Sequence, residues 1–378
     1  MTDRRAALAL TLQLICARAD GRSGPSVAQP RGFDRGPLEG IDWHGFVAFT
    51  SAHFVLQAMA GPLTEAAKSG ADVPDDLLLF VDEMQAANGR RNVRLGRALE
   101  DIAGRLNVFG VVPVALKGAA FLLADGSADA AWRFMSDVDL LVPPERLADC
   151  VSAIEAMGFR TATADYDPAN DAHFPPLISP CRQFSVELHT RLFGRDDFGI
   201  DPRRLEAEAS HVQHGSACVR VPDLGDRIAH LVAHAQLHNR NHAGKRLVLK
   251  DVLDLAMMPR EAVIRFECAD AARVFAEPRH RTAALGLLAA WRRCLGIEAG
   301  VARLPSAERW AAHAIDRLAW PPWRSTACLP WDVLGLELHR LMRERGHFGR
   351  RMAQLGQPQK LIGNGQAWAF KQRQRLWS

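Results

Sequence analysis

Long apolar runs are absent from this chain: none of its 378 residues lies in a stretch of about twenty consecutive apolar side chains, the length that a helix needs to cross a bilayer. We therefore expect no membrane span. Closely spaced cysteine pairs are absent too, since the seven cysteines are scattered and include no Cys-x-x-Cys. That pattern is typical of buried thiols in a reducing compartment. It gives no zinc site and predicts a cytoplasmic protein.

A strong excess of one charge is also lacking, because the formal net charge is only +4. A balance this small gives no strong signal for binding a long nucleic acid. Basic residues of segment 340–377 alternate with aromatic ones, a pattern found both in single-stranded nucleic-acid sites and in solvated helix faces, and we favour the helix face. The single tyrosine, Tyr166, lies in a predicted loop, where it can stack on a base or simply pack.

The chain divides by composition and periodicity into four parts. Its start combines two arginines with an apolar run, the outline of a signal peptide. Thr11 and Gln13 interrupt that run, however, and its apolar residues repeat at helical spacing, so we predict an amphipathic helix. The predicted parts are an N-terminal helix and linker (1–42), a helical region (43–106), a core of mixed strands and helices (107–215) and a helical C-terminal domain (216–378).

Two aspartates interrupt the apolar strand pattern of residues 133–142, the most informative stretch of the chain. Asp137 and Asp139 are one residue apart, so on a strand they point to the same face with Cα atoms about 7 Å apart. Two like charges at close range in an apolar setting repel by roughly 4 kcal/mol. A divalent cation relieves this repulsion, and ligands that are all oxygen favour Mg²⁺ or Mn²⁺. An Asp-x-Asp pattern alone arises by chance about once in a chain of this length, so the surroundings carry the inference.

Two neighbouring segments supply the rest of a phosphate and metal site. The run 184–189 alternates as a strand does, which places Glu187 and His189 on one face. A second strand, 111–116, leads into Gly118, where the chain can turn into a helix with free N–H groups suited to phosphate. The positive charges near this turn are Lys117 and Arg133.

In this order, Lys-Gly, then Arg…Asp-Val-Asp-Leu-Leu-Val, then Val-Glu-Leu-His, the chain resembles the DNA polymerase β-type nucleotidyltransferase superfamily, and within it the branch called only nucleotidyltransferase family protein. The resemblance covers about residues 92–258. It implies an α+β fold: a mixed sheet (an α/β core) with flanking helices, extended by helical N- and C-terminal regions. It also implies two Mg²⁺ (or Mn²⁺) ions and transfer of a nucleoside monophosphate from NTP to an acceptor. The pattern is similar to AbiEii-type toxins as well.

Carried over by position, the resemblance implies that Asp137 and Asp139 are the metal-binding pair and Glu187 the third carboxylate, all three catalytic. Gly118 corresponds to the glycine of the phosphate-contacting turn, and Ala119 stands where many relatives have Ser or a second Gly. Without that hydroxyl, triphosphate binding depends more on backbone N–H groups and basic side chains. The predicted nucleotide-binding set is Lys117, Gly118, Ala119, Arg133, Ser136, His189, His234 and Lys250.

Four histidines recur at steps of four within segment 225–258, which is predicted to be helical again; on a helix they would be neighbours on one face. Such a stripe suits a metal site, a face turned toward nucleotide or acceptor, or ordinary packing, and residues 239–241 can fray the helix. In the resembling family a helical histidine and a later aspartate recur here, and His234 and Asp251 look equivalent. The four are His230, His234, His238 and His242.

We therefore expect a metal-dependent nucleotidyltransferase acting on NTP and a hydroxyl-type acceptor. That acceptor is a small molecule, a peptide or protein side chain, or an RNA 3′ end. Three rivals stay open: a phosphotransferase that moves the γ-phosphate, a catalytically silent nucleotide-binding protein, and a growth-arresting toxin with nucleotidyltransferase chemistry.

Overall fold

A computed structural model describes residues 4–22, 40–125, 129–162, 166–167, 171–194, 197–298, 303–321, 324 and 328. Most of the predicted linker and the basic, aromatic segment 340–377 lie outside the described residues. Within the described part, no helix is both long and apolar enough to cross a bilayer.

Helices dominate the first hundred residues, as their periodicity predicts. Helix α1 buries Leu10, Leu14 and Ile15 in the main core. Helix α2 begins where the Asp42 carboxylate accepts a hydrogen bond of 2.9 Å from the Gly45 N–H, a typical N-cap. The helices here are α1 (Arg4–Arg22), α2 (Trp43–Ala52), α3 (Ala60–Lys68) and α4 (Asp75–Val108), with a short 3₁₀ turn at Leu56–Met59.

A seven-stranded mixed sheet forms the centre of the described chain, which confirms the predicted α+β class. In spatial order its strands run β3-β4-β5-β2-β1-β7-β6. Strand β2 pairs antiparallel with β1 and parallel with β5. The strands are β1 (Val114–Ala115), β2 (Asp137–Leu141), β3 (Arg160–Thr161), β4 (Leu177–Ile178), β5 (Ser185–His189), β6 (Ser210–His214) and β7 (Ala217–Val221).

The two faces of the central strand pair differ in chemistry. Val138 and Leu140 of β2, with Val186 and Leu188 of β5, are fully buried in a core shared with α4. The intervening side chains of both strands point to the opposite face, because side chains alternate along a strand. The apolar and polar residues alternate along β2 and β5 because one face of the strand pair packs in the core and the other lines the polar side.

The remaining helices cover the sheet and build the C-terminal half. The region predicted to be helical over 225–258 consists of two helices with a break that includes residues 239–241, where the helix was expected to fray: α8 (Leu224–Ala233) continues into a π-helical turn at His234–His238 and ends there, and α9 begins only at Leu249. Arg240 and Lys245 adopt left-handed backbone conformations in between, which no continuous α-helix allows. The helices are α5 (Lys117–Asp125), α6 (Leu147–Glu155), α7 (Pro202–Glu208), α8 (Leu224–Ala233), α9 (Leu249–Ala256), α10 (Arg260–Arg265), α11 (Ala271–Val274), α12 (Pro278–Leu295) and α13 (Pro305–Leu318).

Candidate active site

The register of β2 against β5 brings the three predicted carboxylates together. Asp139 lies opposite Glu187, and Asp137 lies opposite Ser185, so all three acidic side chains share the polar face of the sheet. They line a cleft of about 400 Å³ that also includes Lys117 and Gly118 at the start of α5. The volume is within the usual range for small-molecule sites.

Asp139 is the most buried of these acids and is held by two cationic or hydrogen-bonding partners. Its Oδ1 accepts from Lys117 Nζ at 2.7 Å and from His189 Nε2 at 2.9 Å, while the residue itself is 2% exposed. Burial alone would raise the pKa of this carboxyl, but Lys117 and His189 outweigh it and hold the pKa far below its ordinary value. Asp139 therefore stays ionised.

Asp137 is in the opposite electrostatic situation. Burial, followed by the negative charges of Asp139 and Glu187, raises its pKa to about 6. The basic groups nearby do not fully offset this negative charge, so the acidic face attracts further positive charge. The three carboxylates on this face offer oxygen ligands, which a hard divalent cation prefers. Such a cation would also favour the ionised form of Asp137, whose pKa is raised.

One subset of these groups already has the spacing of metal ligands. Single ligand atoms of Asp139, Glu187 and His189 all lie within 4.8 Å of one another. The imidazole of His189 touches Glu187 as well, with Nε2 3.7 Å from Oε2. Burial lowers the pKa of His189, but the hydrogen bond to Asp139 and the nearby carboxylate of Glu187 outweigh this and raise it. Because its Nε2 is engaged with Asp139, we interpret His189 as the group that orients the carboxylates, as partners of metal ligands commonly do.

A second imidazole, which is not among the predicted site residues, lies beside Glu187 and His189. His173 lies with Nε2 3.7 Å from Glu187 Oε2, and its ring centroid is 5.0 Å from that of His189. His173 lies in segment 164–180, which its aspartates and four prolines predict to be a loop near the site, and a lone histidine there gave no signal in the sequence.

Arg133 and Lys250, both predicted to bind nucleotide, converge on an acid that the sequence reading missed. Asp254 accepts from Arg133 Nε at 2.9 Å and Nη2 at 3.0 Å, and from Lys250 Nζ at 2.8 Å. These two cations lower the pKa of Asp254 despite its burial, which acts in the opposite direction. The i,i+4 spacing of Lys250 and Asp254 was the available signal. The predicted aspartate, Asp251, lies one turn earlier and borders an inner cavity of about 90 Å³.

Gly118 has a steric reason to be glycine that is visible in the packing. A Cβ atom placed there would lie 2.7 Å from Arg133 Nη1 and 2.7 Å from Met135 Sδ, closer than real contacts allow. The guanidinium of Arg133 is therefore packed directly over the turn that begins α5. The preceding residue, Lys117, has a positive φ of 45°, and its side chain reaches Asp139.

Ala119 and Ser136 occupy very different surroundings. Ala119 is 1% exposed and packs in the core beneath the sheet, so its methyl group contributes to folding. Ser136 is exposed and lies on the wall of the cleft, directly before Asp137. Of the two, only Ser136 offers its side chain to a ligand in the cleft.

The histidine stripe is shorter than its spacing predicts. His234 and His238 line the cleft with rings stacked at a centroid distance of 5.2 Å, and His230 is buried behind them against the inner cavity. His242 follows the break in the helix and stacks on Trp310 instead. Burial, then the charge of Lys117, lowers the pKa of His230 to about 3 and that of His234 well below its usual value. Both imidazoles are therefore neutral near pH 7.

Comparison with known proteins agrees with this geometry at the level of the family. The sequence model of a protein family described as an uncharacterised nucleotidyltransferase matches residues 39–296, a span that contains the whole sheet and every cleft residue named above. No curated protein and no solved structure matches the chain. The chain therefore belongs to the uncharacterised nucleotidyltransferase family.

Proposed function

We propose that this protein transfers a nucleoside monophosphate from NTP to a hydroxyl-type acceptor, using divalent ions held by Asp137, Asp139 and Glu187. The observation that carries the proposal is the parallel register that sets Asp139 beside Glu187, with Asp137 on the same face and in the same cleft. Mg²⁺ fits the all-oxygen donor set best, and Mn²⁺ is the alternative that tolerates the nearby imidazole.

The ions, when bound, supply charge neutralisation at the attacking and leaving oxygens of an in-line displacement. The chain itself supplies the position of the triphosphate. The turn at Gly118 presents N–H groups of α5, which suit an anion, and Arg133 Nη1 lies over the same turn. Lys117 reaches between Asp139 and the turn, so its ammonium can contact a phosphate without leaving the cleft.

The acceptor hydroxyl attacks the α-phosphorus, a new phosphate ester forms, and pyrophosphate leaves. Glu187 is the carboxylate placed to take the proton of that hydroxyl, because its side chain is 18% exposed whereas that of Asp139 is 2% exposed. His173 and His189, each 3.7 Å from Glu187 Oε2, hold the carboxylate in position for this step. Positioning and electrostatics of this kind account for most of the catalysis in phosphoryl-group transfer.

The first test follows label from NTP into an acceptor. Purified protein is incubated with α-labelled or γ-labelled NTP, with Mg²⁺ or Mn²⁺, in cell extract, and compared with the double variant Asp137→Ala/Asp139→Ala. A matched control is Asp82→Ala/Asp101→Ala, which removes two exposed carboxylates from α4. We expect α label to move to an acceptor with the wild type and the control, and to be lost by orders of magnitude in the double variant.

The other outcomes separate the rival functions. Movement of γ label alone identifies a phosphotransferase and overturns nucleotidyl transfer. Binding of Mg–NTP with no movement of either label identifies a catalytically silent nucleotide-binding protein. Mobility of the labelled product gives the chemical class of the acceptor, and toxicity of the wild type but not of the double variant on expression would identify a toxin.

A further inference from the structure

Two aromatic rings form one wall of the cleft, away from the carboxylates. Phe54, between α2 and α3, and Phe134, between Arg133 and β2, lie with ring centroids 5.8 Å apart and planes inclined by only 27°. Both rings line the same cleft as Asp137 and Gly118. Phe54 is 47% exposed, so nearly half of this large apolar side chain is open to solvent.

The backbone of Phe54 indicates that this exposure is not a by-product of folding. The Val55 N–H bonds to the Thr50 carbonyl and the Phe54 N–H to the Ser51 carbonyl, each at 3.0 Å. These are the two bonds of a Schellman motif, with Phe54 at the left-handed position that glycine usually occupies. Its φ is 56°, which is unfavourable for a residue with a Cβ. Phe54 thus occupies a position where glycine would have a lower backbone conformational energy.

The packing around Phe134 fixes the orientation of the pair. The guanidinium carbon of Arg91, on α4, lies 4.8 Å from the centroid of the Phe134 ring, a cation–π contact. Phe134 also follows Arg133, whose side chain is tied to Asp254. The shelf, as we call the rings of Phe54 and Phe134, is thus anchored by the segment that leads directly into Asp137.

We propose that the shelf is the surface on which the nucleobase of the NTP stacks. This inference rests on the proposed function. A planar base suits the flat, exposed ring of Phe54, which the half-buried ring of Phe134 backs, and a triphosphate reaching Gly118 and the carboxylates of the same cleft would leave its base within that cleft. Stacking accepts every base because each has a π face. The shelf therefore favours any nucleotide over a bare triphosphate and discriminates little among the four bases.

The left-handed backbone of Phe54 makes it possible to remove its ring without destabilising the fold. Glycine relieves the left-handed conformation and removes the ring, so Phe54→Gly should keep or raise the melting temperature while weakening nucleotide binding. Binding is measured by calorimetry with Mg²⁺ and α,β-methylene-ATP, and separately with inorganic tripolyphosphate. The matched control is Phe80→Ala on α4, a phenylalanine that is 44% exposed.

We expect Phe54→Gly to raise the Kd of the nucleotide about 5- to 150-fold, the range that loss of one stacked base gives. The Kd of tripolyphosphate should stay unchanged in the same variant. Phe54→Trp should retain nucleotide binding, and Phe80→Ala should leave both ligands unaffected. Uridine and adenosine analogues should both lose affinity in Phe54→Gly, and the two losses should differ little.

Three results would overturn the shelf as a base platform. Unchanged nucleotide binding by Phe54→Gly removes the stacking role and leaves the proposed function standing. An equal loss for nucleotide and tripolyphosphate shows that Phe54 only shapes the cleft. Failure of the wild type to bind either ligand with Mg²⁺ contradicts the proposed function and overturns the shelf with it, because the cleft then holds no nucleotide whose base could stack.

Discussion

Replacing Asp254 by asparagine tests whether a buried ion pair holds the phosphate side of the cleft in place. Asp254 is 1% exposed and accepts three hydrogen bonds from Arg133 and Lys250. Bonds to charged groups are worth about 1.5–3 kcal/mol each. The Lys250 side chain is 26% exposed and can turn to water, whereas that of Arg133, 7% exposed, cannot.

The cost of Asp254→Asn is therefore governed by the uncompensated cation of Arg133. Breaking a buried pair from one side typically costs about 3–5 kcal/mol, a large part of the stability of an ordinary domain. We expect a loss of this size in the free energy of unfolding, measured by urea titration at pH 7. The same variant should bind Mg–nucleotide more weakly, because Arg133 Nη1 no longer has a fixed position over Gly118.

A double-mutant cycle separates the pair from the rest of its surroundings. Removing both charges, as Arg133→Met/Asp254→Leu, should restore stability to within about 1–2 kcal/mol of the wild type, since no buried charge is left alone. It should not restore nucleotide binding. The exposed pair Arg146–Asp149, with an N–O distance of 2.9 Å, is the control and should show a coupling below about 1 kcal/mol. A cost below about 1 kcal/mol for Asp254→Asn, or additive effects of the single variants Arg133→Met and Asp254→Leu, would refute the reasoning.

Two further predictions concern single positions. Gly118→Ala should weaken Mg–nucleotide binding more than it lowers the melting temperature, because its Cβ, 2.7 Å from Arg133 Nη1, displaces the end of a side chain and not the backbone. Calorimetry measures the binding and thermal unfolding the stability, and unchanged binding would contradict this prediction. Burial, more than nearby arginines, lowers the pKa of His53 to about 3. Below pH 6.5 His53 is therefore protonated in the unfolded chain but stays neutral in the folded protein. Stability should fall by about 1.4 kcal/mol per pH unit from pH 6.5 toward 3 on account of this group. Urea titrations at pH 7 and pH 5 give the free energy of unfolding at each pH. The loss of this free energy between pH 7 and pH 5 should be smaller in His53→Gln than in the wild type, and an equal loss would exclude the effect.

Periodicity was sufficient to place the central strands, because one face of the sheet is apolar. Alternation over 184–189 predicts a strand, and β5 spans Ser185–His189; the acidic pair likewise lies on β2, Asp137–Leu141. Strand β4, Leu177–Ile178, has only two residues and exists through its pairing with β3 and β5. So short a strand leaves no periodic trace, which is why its segment was predicted as a loop.

Long-range contacts account for what the sequence did not reveal at the site. The role of Asp254 depends on Arg133, which is 121 residues earlier in the chain. The left-handed backbone of Phe54 follows from how α2 ends against its neighbours, and nothing in the residue type announces it. The break after His238 falls at residues 239–241, where the sequence already indicated fraying, but the four-residue spacing alone could not show that His242 leaves the stripe and stacks on Trp310.

The pairing of β2 with β5 sets a limit on how this family can change over time. Parallel pairing fixes Asp137, Asp139 and Glu187 on one face, and a shift of one residue in either strand turns its side chains to the opposite face. An insertion or deletion inside either strand would then bury its acids among valines and leucines. We therefore expect insertions and deletions in relatives to lie in the connections between the strands. The two five-residue strands should keep their length and the positions of their acidic residues, even in relatives whose loops differ in length and sequence.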